Sequence, residues 1–312
     1  MSWRITWWQV PRHVRSAVET SLGSNVVEAV TQAAGFSPGA AARIRLASGG
    51  RAFVKALSAS LHSPSLGLYR NEAAVMPHLP ADLPVPRLLD VYDDGHWVAL
   101  VYEDIEGRHP EVPWRPDELN RVAGAIADLG AALDPSPWVG APTFADVNGG
   151  FIQAWRAFAM SPPNDLDFSV RQMLDKLLSA EVDLAEVVSG EALLHNDSRS
   201  DNILLTPDGR VVFVDWGMPC KGATWQDLLM FSFTAAFEGG ADIDLLVRTH
   251  PLTRDIAAEW IDVVVVAGYA AYRSLAQRPV DPLVPSGNAY HIACAEASLR
   301  WAQSRAARRT AL

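Results

Sequence analysis

Alternation of apolar and polar residues in the first hundred positions predicts a small antiparallel sheet. Two alternating segments, Ala42 to Leu46 and Arg51 to Leu57, flank a Ser-Gly-Gly turn and predict a β-hairpin. A second strand, turn and strand are predicted over 87–105, around Asp-Asp-Gly. Helical spacing predicts helices over Pro11 to Leu22 and about Tyr69 to Met76. We therefore expect a small sheet with one helix against it.

Beyond about Pro116 the hydrophobic spacing becomes helical. Helices are predicted in PDELNRVAGAIADLGAAL, NGGFIQAWRAFA and DFSVRQMLDKLLSAEV, the last covering 167–182. Two short apolar segments, NILLT and VVFVDWG, are joined by the turn PDGR and predict a hairpin within this helical part. The chain is thus expected to be α+β with two domains, a sheet domain over 1–103 and a helical domain over 104–312.

Composition and charge narrow the range of partners. The chain has 312 residues, 49% of them hydrophobic and 20% charged, which is typical of a folded globular protein. The formal net charge of -10 disfavours nucleic acid, which is bound by clustered Lys and Arg, and favours a cationic or metal-bridged ligand.

Cysteine usage and the apolar segments bear on location. The two cysteines, Cys220 and Cys294, have no zinc-site spacing and are interpreted as reduced thiols. The first residues do not resemble a signal peptide, and the apolar run WIDVVVVAGYAAY is too short to span a bilayer. We expect a cytoplasmic protein without a membrane or nucleic-acid partner.

Polar residues concentrate in LLHNDSRSDNILLTPDGRVVFVDWG, mainly in a loop beside the two hairpin strands. Because the hairpin returns antiparallel, Asp215 at its end is expected near Asn202 at its start. A carboxylate and an amide carbonyl are oxygen ligands that suit Mg²⁺. Asp197 would then face a substrate hydroxyl. For His195 we favour the plainer alternative, a core histidine held by backbone groups.

Asp and Asn are common in turns, and the pattern H-x-D-x-x-x-x-N alone is weak. Followed by a strand, a turn and a strand ending in Asp, it is far more specific. The arrangement resembles the catalytic core of the two-lobed protein-kinase-like fold, as found in aminoglycoside phosphotransferases and choline kinases. That resemblance implies a catalytic Asp197, Mg²⁺ ligands Asn202 and Asp215, a loop-organising His195, and a supporting Asp227 in TWQDLLM.

One position departs from the family pattern. Asn196 stands where the family usually has Gly, a residue chosen where the backbone needs room. The departure could tighten or distort the loop, although Asn is the next most tolerant residue at positive φ.

The resemblance also implies that the sheet domain binds the nucleotide and carries particular residues for this purpose. Lys55 lies on the second hairpin strand, where a phosphate-binding lysine is implied, and Glu72 on the next helix would be its ion-pair partner. The alternative for Lys55 is a solvated charge on an edge strand.

Two backbone segments complete the implied nucleotide site. The stretch GFSPGAAAR resembles a shortened nucleotide-covering loop, with Gly35, Ser37 and Gly39 exposing N–H groups to phosphate. An ordinary turn explains it equally well. Backbone groups near Glu103 and Ile105 are implied to contact adenine, as in the hinge of a kinase.

The implied activity is Mg²⁺-dependent transfer of the γ-phosphoryl group of ATP to a hydroxyl of a small acceptor, with GTP open as the nucleotide. Acidic loops in the helical domain favour a cationic acceptor such as an amino alcohol or aminoglycoside. These residues are Asp165, Asp167, Glu238, Asp242 and Asp244. For each of them taken singly, a solvated surface position is the favoured alternative. Trp155, Trp216, Trp225 and Trp260 offer faces for stacking, although we expect most to pack in the core.

Two other functions stay open at this point. A catalytically silent kinase-like protein would bind nucleotide without transfer, and a metal-dependent phosphohydrolase would not need Lys55 and Glu72. The acceptor, the oligomeric state and any role in antibiotic resistance are not set by the sequence.

Overall fold

The computed structural model describes residues 4–33, 35, 37–160, 178 and 183–310. Contacts group the chain into two compact units. The first unit comprises Met1–Pro110, Asp201–Pro219 and Val280–Ser286, and the second comprises Glu111–Ser200, Cys220–Pro279 and Gly287–Leu312. The division into a nucleotide-binding domain, 1–103, and a helical domain, 104–312, stays a prediction.

Strands and helices occur in groups along the chain. The strands are β1 (Val26–Thr31), β2 (Ala40–Leu46), β3 (Arg51–Ser58), β4 (Leu88–Asp93), β5 (Trp97–Glu103), β6 (Ala192–Leu194), β7 (Ile203–Leu205), β8 (Val211–Phe213) and β9 (Cys220–Gly222). The helices are α1 (Arg12–Ser21), α2 (Ala59–Val75), α3 (Pro116–Ala132), α4 (Phe144–Val147), α5 (Gly149–Ile152), α6 (Ala154–Met160), α7 (Gln226–Glu238), α8 (Ile243–Thr249), α9 (Ala258–Ala276) and α10 (Gly287–Thr310). Short 3₁₀ turns occupy Trp7–Gln9, Met76–His78 and Ser200–Asn202.

The first unit contains an antiparallel sheet in the order β1-β2-β3-β5-β4. Both predicted strand pairs are confirmed, β2 with β3 and β4 with β5. One face of the sheet packs on the hydrophobic core of this unit, which includes Trp7 and Val14. Strand β1 was not predicted, because it lies at the sheet edge with mostly exposed side chains and carries no clear alternation.

Helix α2 is longer than predicted. The Ser and Pro residues near its start are typical of loops, but the Ser58 hydroxyl accepts a hydrogen bond from the Leu61 N–H and begins the helix at Ala59. The helix is kinked where His62 leaves helical geometry, and Pro64 follows the kink. Pro is tolerated there because the first turn after a break needs no backbone donor.

The predicted hairpin of β7 and β8 is confirmed and belongs to the first unit. Its start and end are joined by the Val214 N–H, which donates to the Asn202 carbonyl at 2.9 Å. Phe213 N–H donates to the Pro84 carbonyl at 2.9 Å, which fastens the hairpin to the chain near β4.

The second unit is mainly helical, with β6 and β9 paired antiparallel. Helices are confirmed in the first two predicted segments, as α3 and as α5 with α6. The third predicted helix, over 167–182, lies outside the described residues except for position 178. Trp155, Phe158 and Tyr269 form part of the core of this unit. Within the described residues, no helix is both long and apolar enough to cross a membrane.

Candidate active site

The first unit has a cavity of about 210 Å³ on the sheet face opposite its hydrophobic core. The two faces follow from the period of two along each strand. On β3, Ala52, Val54 and Ala56 enter the core, so the intervening Phe53 and Lys55 line the cavity. Other lining residues include Arg4, Gly35, Ser37, Ala41, Arg43, Tyr69, Glu72, Tyr102, Glu103, Asp104, Ile105, His109, Asn202 and Asp215.

Lys55 is the central charge of this cavity. Its Nζ donates to Glu72 Oε2 at 2.6 Å and to Asp215 Oδ1 at 2.6 Å. Lys55 is 9% exposed and Glu72 on α2 is 2% exposed. Lys55 is therefore a buried, doubly paired cation and not a solvated edge charge.

The pairing fixes the protonation of Lys55. Burial lowers its pKa, but the carboxylates of Asp215 and Glu72 more than offset this and hold the pKa above its ordinary value. The Tyr69 ring lies 5.1 Å from Nζ and adds a cation–π contact. Lys55 thus carries a full positive charge at neutral pH.

Asn202 directly precedes β7 and Asp215 follows β8, so both lie at the same, open end of the hairpin, and both line the cavity. Asn202 is buried at the end of the 3₁₀ turn Ser200–Asn202. Asp215 follows β8 with a φ of 68°, an uncommon left-handed conformation for a residue other than glycine.

The donor atoms of Asn202 and Asp215 fit a hard cation. A carboxylate and an amide oxygen suit Mg²⁺, which completes its shell with water and phosphate oxygens. No cluster of three or more His, Cys, Asp or Glu that could hold a metal occurs among the described residues.

The segment after β5 is held by a charged clamp that sequence reasoning missed. Asp104 accepts from Arg43 Nε at 2.7 Å, from Arg43 Nη2 at 3.0 Å and from Arg51 Nε at 2.9 Å. Glu103 N–H donates to the Arg87 carbonyl at 3.0 Å and is therefore used within the sheet. Glu103 and Ile105 both line the cavity, as the hinge prediction requires. No sequence motif marks the clamp, because its partners are 53 and 61 positions apart.

The glycine-bearing loop between β1 and β2 also reaches the cavity, through Gly35 and Ser37. Gly35 has a φ of 91° and Gly39 a φ of 125°, both in the region that favours glycine. At Gly39 a Cβ would lie 2.6 Å from the Ala56 carbonyl oxygen, so a side chain is excluded. Gly39 thus permits close approach to β3, whereas Gly35 and Ser37 line the cavity wall.

The loop that follows β6 is organised within the second unit by Asp227. Its carboxylate accepts from the backbone N–H of His195 at 2.8 Å and of Asn196 at 2.7 Å. Burial raises the pKa of Asp227 to about 6, against the opposing effect of these two hydrogen bonds. His195 is fully buried, and its Nδ1 accepts from the Asp197 N–H at 3.2 Å.

Asn196 adopts a φ of 60°, the left-handed conformation that a glycine would take easily. Its side-chain oxygen accepts from Asn148 Nδ2 at 3.2 Å. The replacement of Gly by Asn therefore retains a left-handed backbone at this position and adds a side-chain contact.

Arg199 is a second charged residue that sequence reasoning did not select. Its Nε lies 3.3 Å from Asp197 Oδ1, and its guanidinium lies 6.0 Å from the centre of the Tyr290 ring. Its position two residues after Asp197 was the available signal.

The predicted site residues fall into two groups. Those in the first unit are Gly35, Ser37, Gly39, Lys55, Glu72, Glu103, Ile105, Asn202 and Asp215; those in the second are His195, Asp197 and Asp227. All members of the first group except Gly39 line the cavity.

The acidic residues proposed for acceptor binding have structural partners where they are described. Asp242 caps α8, because its Oδ1 accepts from the Leu245 N–H at 2.9 Å. Asp244 is buried, and its Oδ1 lies 2.8 Å from Arg305 Nη1. Glu238 accepts from Trp114 Nε1 at 2.6 Å. Asp165 and Asp167 lie outside the described residues.

Three of the four selected tryptophans, Trp155, Trp216 and Trp225, are buried, as core packing predicts. Their burial does not support the alternative role, which is stacking on an acceptor.

The whole chain resembles solved structures of small-molecule phosphotransferases. Choline kinase LicA from Streptococcus pneumoniae matches with a TM-score of 0.62 and 13% identity, over 94% of this chain and 99% of that one. Aminoglycoside phosphotransferase APH(4)-Ia matches with a TM-score of 0.60 and 15% identity, over 92% and 97%. An aminoglycoside phosphotransferase from Alicyclobacillus acidocaldarius matches with a TM-score of 0.52 and 16% identity, over 92% and 93%. No curated protein sequence matches this chain significantly.

These similarities confirm the predicted α+β, protein-kinase-like fold, with its small antiparallel sheet and mainly helical part. The sequence profile of the phosphotransferase enzyme family (APH) matches residues 34–260, which is more than half of the chain. The chain therefore belongs to the phosphotransferase enzyme family, as its motifs predicted.

Proposed function

We propose that the protein transfers the γ-phosphoryl group of ATP to a hydroxyl of a small acceptor, with Mg²⁺ as the metal. The observation that carries this proposal is the buried Lys55, held at 2.6 Å by both Glu72 and Asp215 in a cavity that Asn202 also lines. A phosphohydrolase does not need this lysine and its partner on α2, whereas phosphoryl transfer from a nucleotide uses both.

Lys55 has the task of binding the α- and β-phosphates of the nucleotide. Its two carboxylate partners fix its position and keep it protonated, so it needs no rearrangement to meet an anion. Asn202 and Asp215 would hold Mg²⁺, which when bound offsets the negative charge of the phosphate groups. The arginine clamp on Asp104 supports the backbone beside Ile105, where the nucleobase is expected to bind.

Asp197 has the task of orienting the acceptor hydroxyl and accepting its proton. The backbone of its loop is fixed by Asp227 and His195, which limits the motion of the carboxylate. Because proton transfer contributes to the transition state, loss of Asp197 should reduce turnover far more than nucleotide binding.

The nucleotide assignment draws on the similar structures. LicA has been solved with AMP, and a thermostable mutant of APH(4)-Ia has been solved in a ternary complex with AMP-PNP and hygromycin B. A similar aminoglycoside 2'-phosphotransferase has been solved with GDP. Adenine nucleotides recur among these, which supports ATP while GTP remains the competitor to test.

The same proteins also support an acceptor class. A choline kinase and several aminoglycoside phosphotransferases act on hydroxyls of small molecules, which supports a small alcohol as acceptor. A cationic acceptor stays a prediction. The buried thiols of Cys220 and Cys294 agree with a cytoplasmic location, which we also propose.

The proposal is tested with the purified full-length protein, labelled ATP and Mg²⁺. Pools of aminoglycosides, macrolides, choline and small amino alcohols serve as acceptors. We expect label to pass to one pool, and Asp197→Asn to lower kcat by at least about 100-fold with little change in the affinity for ATP. Asp208→Asn, an exposed aspartate paired with Arg210, is the matched control and should retain full activity.

Different failures have different meanings. ATP consumption without any acceptor would indicate a hydrolase. ATP binding without consumption in any pool would favour the catalytically silent protein. Equal activity of the Asp197→Asn variant and the wild type would remove Asp197 from the mechanism.

A further inference from the structure

Arg4 lies in the cavity although no sequence motif marked it. It lines the cavity together with Lys55, Tyr69 and Gly35. The family profile begins at residue 34, so Arg4 comes from a segment that the family pattern does not describe. The cavity thus receives a further cation, besides Lys55 and Arg43, from a segment that precedes the residues matched by the family profile.

The N-terminal segment holds Arg4 by its hydrophobic neighbours. Ile5 and Trp7 are buried in the core of the first unit, and Trp7 starts a 3₁₀ turn. Because Ile5 and Trp7 are buried directly after Arg4, the backbone of Arg4 is restricted, which limits the positions that its side chain can reach.

Gly35 gives the guanidinium its space. A Cβ at Gly35 would lie 2.8 Å from Arg4 Nη2, a distance that requires one of the two groups to move. The glycine of the nucleotide-covering loop therefore lies directly against the arginine. A guanidinium is a typical phosphate-binding group.

The charge of the cavity leaves a role for this cation. Lys55 is flanked by Glu72 and Asp215, so the three side chains together carry a formal charge of one minus. A nucleoside triphosphate is strongly anionic and is not neutralised by such a group alone. Burial raises the pKa of the nearby Tyr69 to about 12, against the opposing charges of Lys55 and Arg4. Arg4, Lys55 and Tyr69 all line the cavity.

We propose that Arg4 binds the phosphate groups of the nucleotide beside Lys55, and that Gly35 is required so that its guanidinium can occupy this position. The inference rests on the proposed function, because it assumes a nucleotide in the cavity. Arg is suited to the task, since its planar group donates two parallel hydrogen bonds to phosphate oxygens.

The test compares the binding of ATP and of adenosine by isothermal calorimetry. Arg4→Gln should weaken ATP binding by about 10-fold to 100-fold, the usual effect of losing charge-assisted hydrogen bonds, and leave adenosine binding unchanged. Arg4→Lys keeps the charge but not the paired donors, so its loss should be intermediate. Arg12→Gln, an exposed arginine on α1, is the matched control and should bind ATP as the wild type does.

A second variant probes the same contact from the other side. Gly35→Ala should also weaken ATP binding and spare adenosine, because its Cβ would displace the guanidinium and its φ of 91° disfavours alanine. Thermal unfolding without nucleotide establishes that each variant is folded.

The outcomes separate this inference from the proposed function. If the wild type binds ATP and Arg4→Gln binds it equally well, Arg4 has no phosphate role although the nucleotide site stands. If Arg4→Gln loses ATP and adenosine alike, Arg4 acts on the fold and the inference is wrong. If the wild type binds no nucleotide, the proposed function itself fails.

Discussion

Asn196 provides a sharp test of the loop that carries Asp197. Its φ of 60° is accessible to glycine at little cost, to asparagine at a small cost and to alanine at about 1 kcal/mol more. Its side chain also accepts from Asn148 at 3.2 Å, a hydrogen bond worth about 1 kcal/mol. These two contributions can be separated by substitution.

We expect Asn196→Ala to lower the free energy of unfolding by about 2 kcal/mol, because it loses the hydrogen bond and retains a Cβ at positive φ. Asn196→Gly loses the hydrogen bond but relieves the strain, and it gains freedom in the unfolded chain. Its expected loss is about 1 kcal/mol.

The assay is urea-induced unfolding of the wild type, Asn196→Ala and Asn196→Gly. The free energies of unfolding are compared with the same slope against urea concentration for all three proteins. Asn148→Ala is the matched control, because it removes the hydrogen bond and leaves the backbone at position 196 unchanged. If Asn196→Ala is as stable as Asn196→Gly, the left-handed backbone has no energetic consequence and the reasoning is refuted.

Two further predictions concern buried charges. Lys55→Met leaves the buried Glu72 without its cation and should destabilise the protein by about 3 kcal/mol. The control Lys221→Met removes a partly exposed lysine and should change the stability by less than about 1 kcal/mol. Similar losses for the two variants in a thermal unfolding assay would contradict the importance of the Lys55–Glu72 pair. Asp227 has a pKa raised to about 6, so its stabilising contribution is complete below its ordinary pKa and is lost as the pH rises through about 6. Between about pH 5 and pH 7 the wild type should therefore lose about 1 kcal/mol of unfolding free energy relative to Asp227→Asn, and parallel pH profiles of the two proteins would disprove the assignment.

The sequence predicts those parts of the site that depend on local order. Lys55 follows a Gly-containing turn on an alternating strand, and Glu72 lies on the next helix, so their pairing needed only the expected chain order. Asn196 was singled out because it stands where the family pattern has Gly, and the structure has it at a φ of 60°, a conformation that glycine adopts easily. In both cases residue type and nearby pattern carry the information.

Other features depend on contacts between distant segments. Asp104 is clamped by Arg43 across 61 positions, and exposed arginines and aspartates elsewhere in the chain have the same local appearance. Arg4 precedes every recognised motif, and its position depends on the packing of Ile5 and Trp7. Such placements follow from the tertiary structure, which a single sequence pattern does not encode.

Two predictions about elements, the start of α2 and the absence of β1, were wrong for a related reason. The start of α2 was predicted too late because Ser and Pro usually indicate loops, yet Ser58 caps the helix and Pro64 follows a kink at His62. Strand β1 was missed because an edge strand needs no buried alternation.

Phosphorus NMR of the wild-type protein with ATP, Mg²⁺ and the responsive acceptor pool tests the central claim most directly. The method distinguishes a phosphate monoester of the acceptor from inorganic phosphate and from unreacted ATP. We predict a new monoester signal that grows as ATP is converted to ADP, and that is absent with Asp197→Asn. Release of inorganic phosphate alone, or unchanged ATP in a sample whose nucleotide is bound, would contradict phosphoryl transfer to an alcohol.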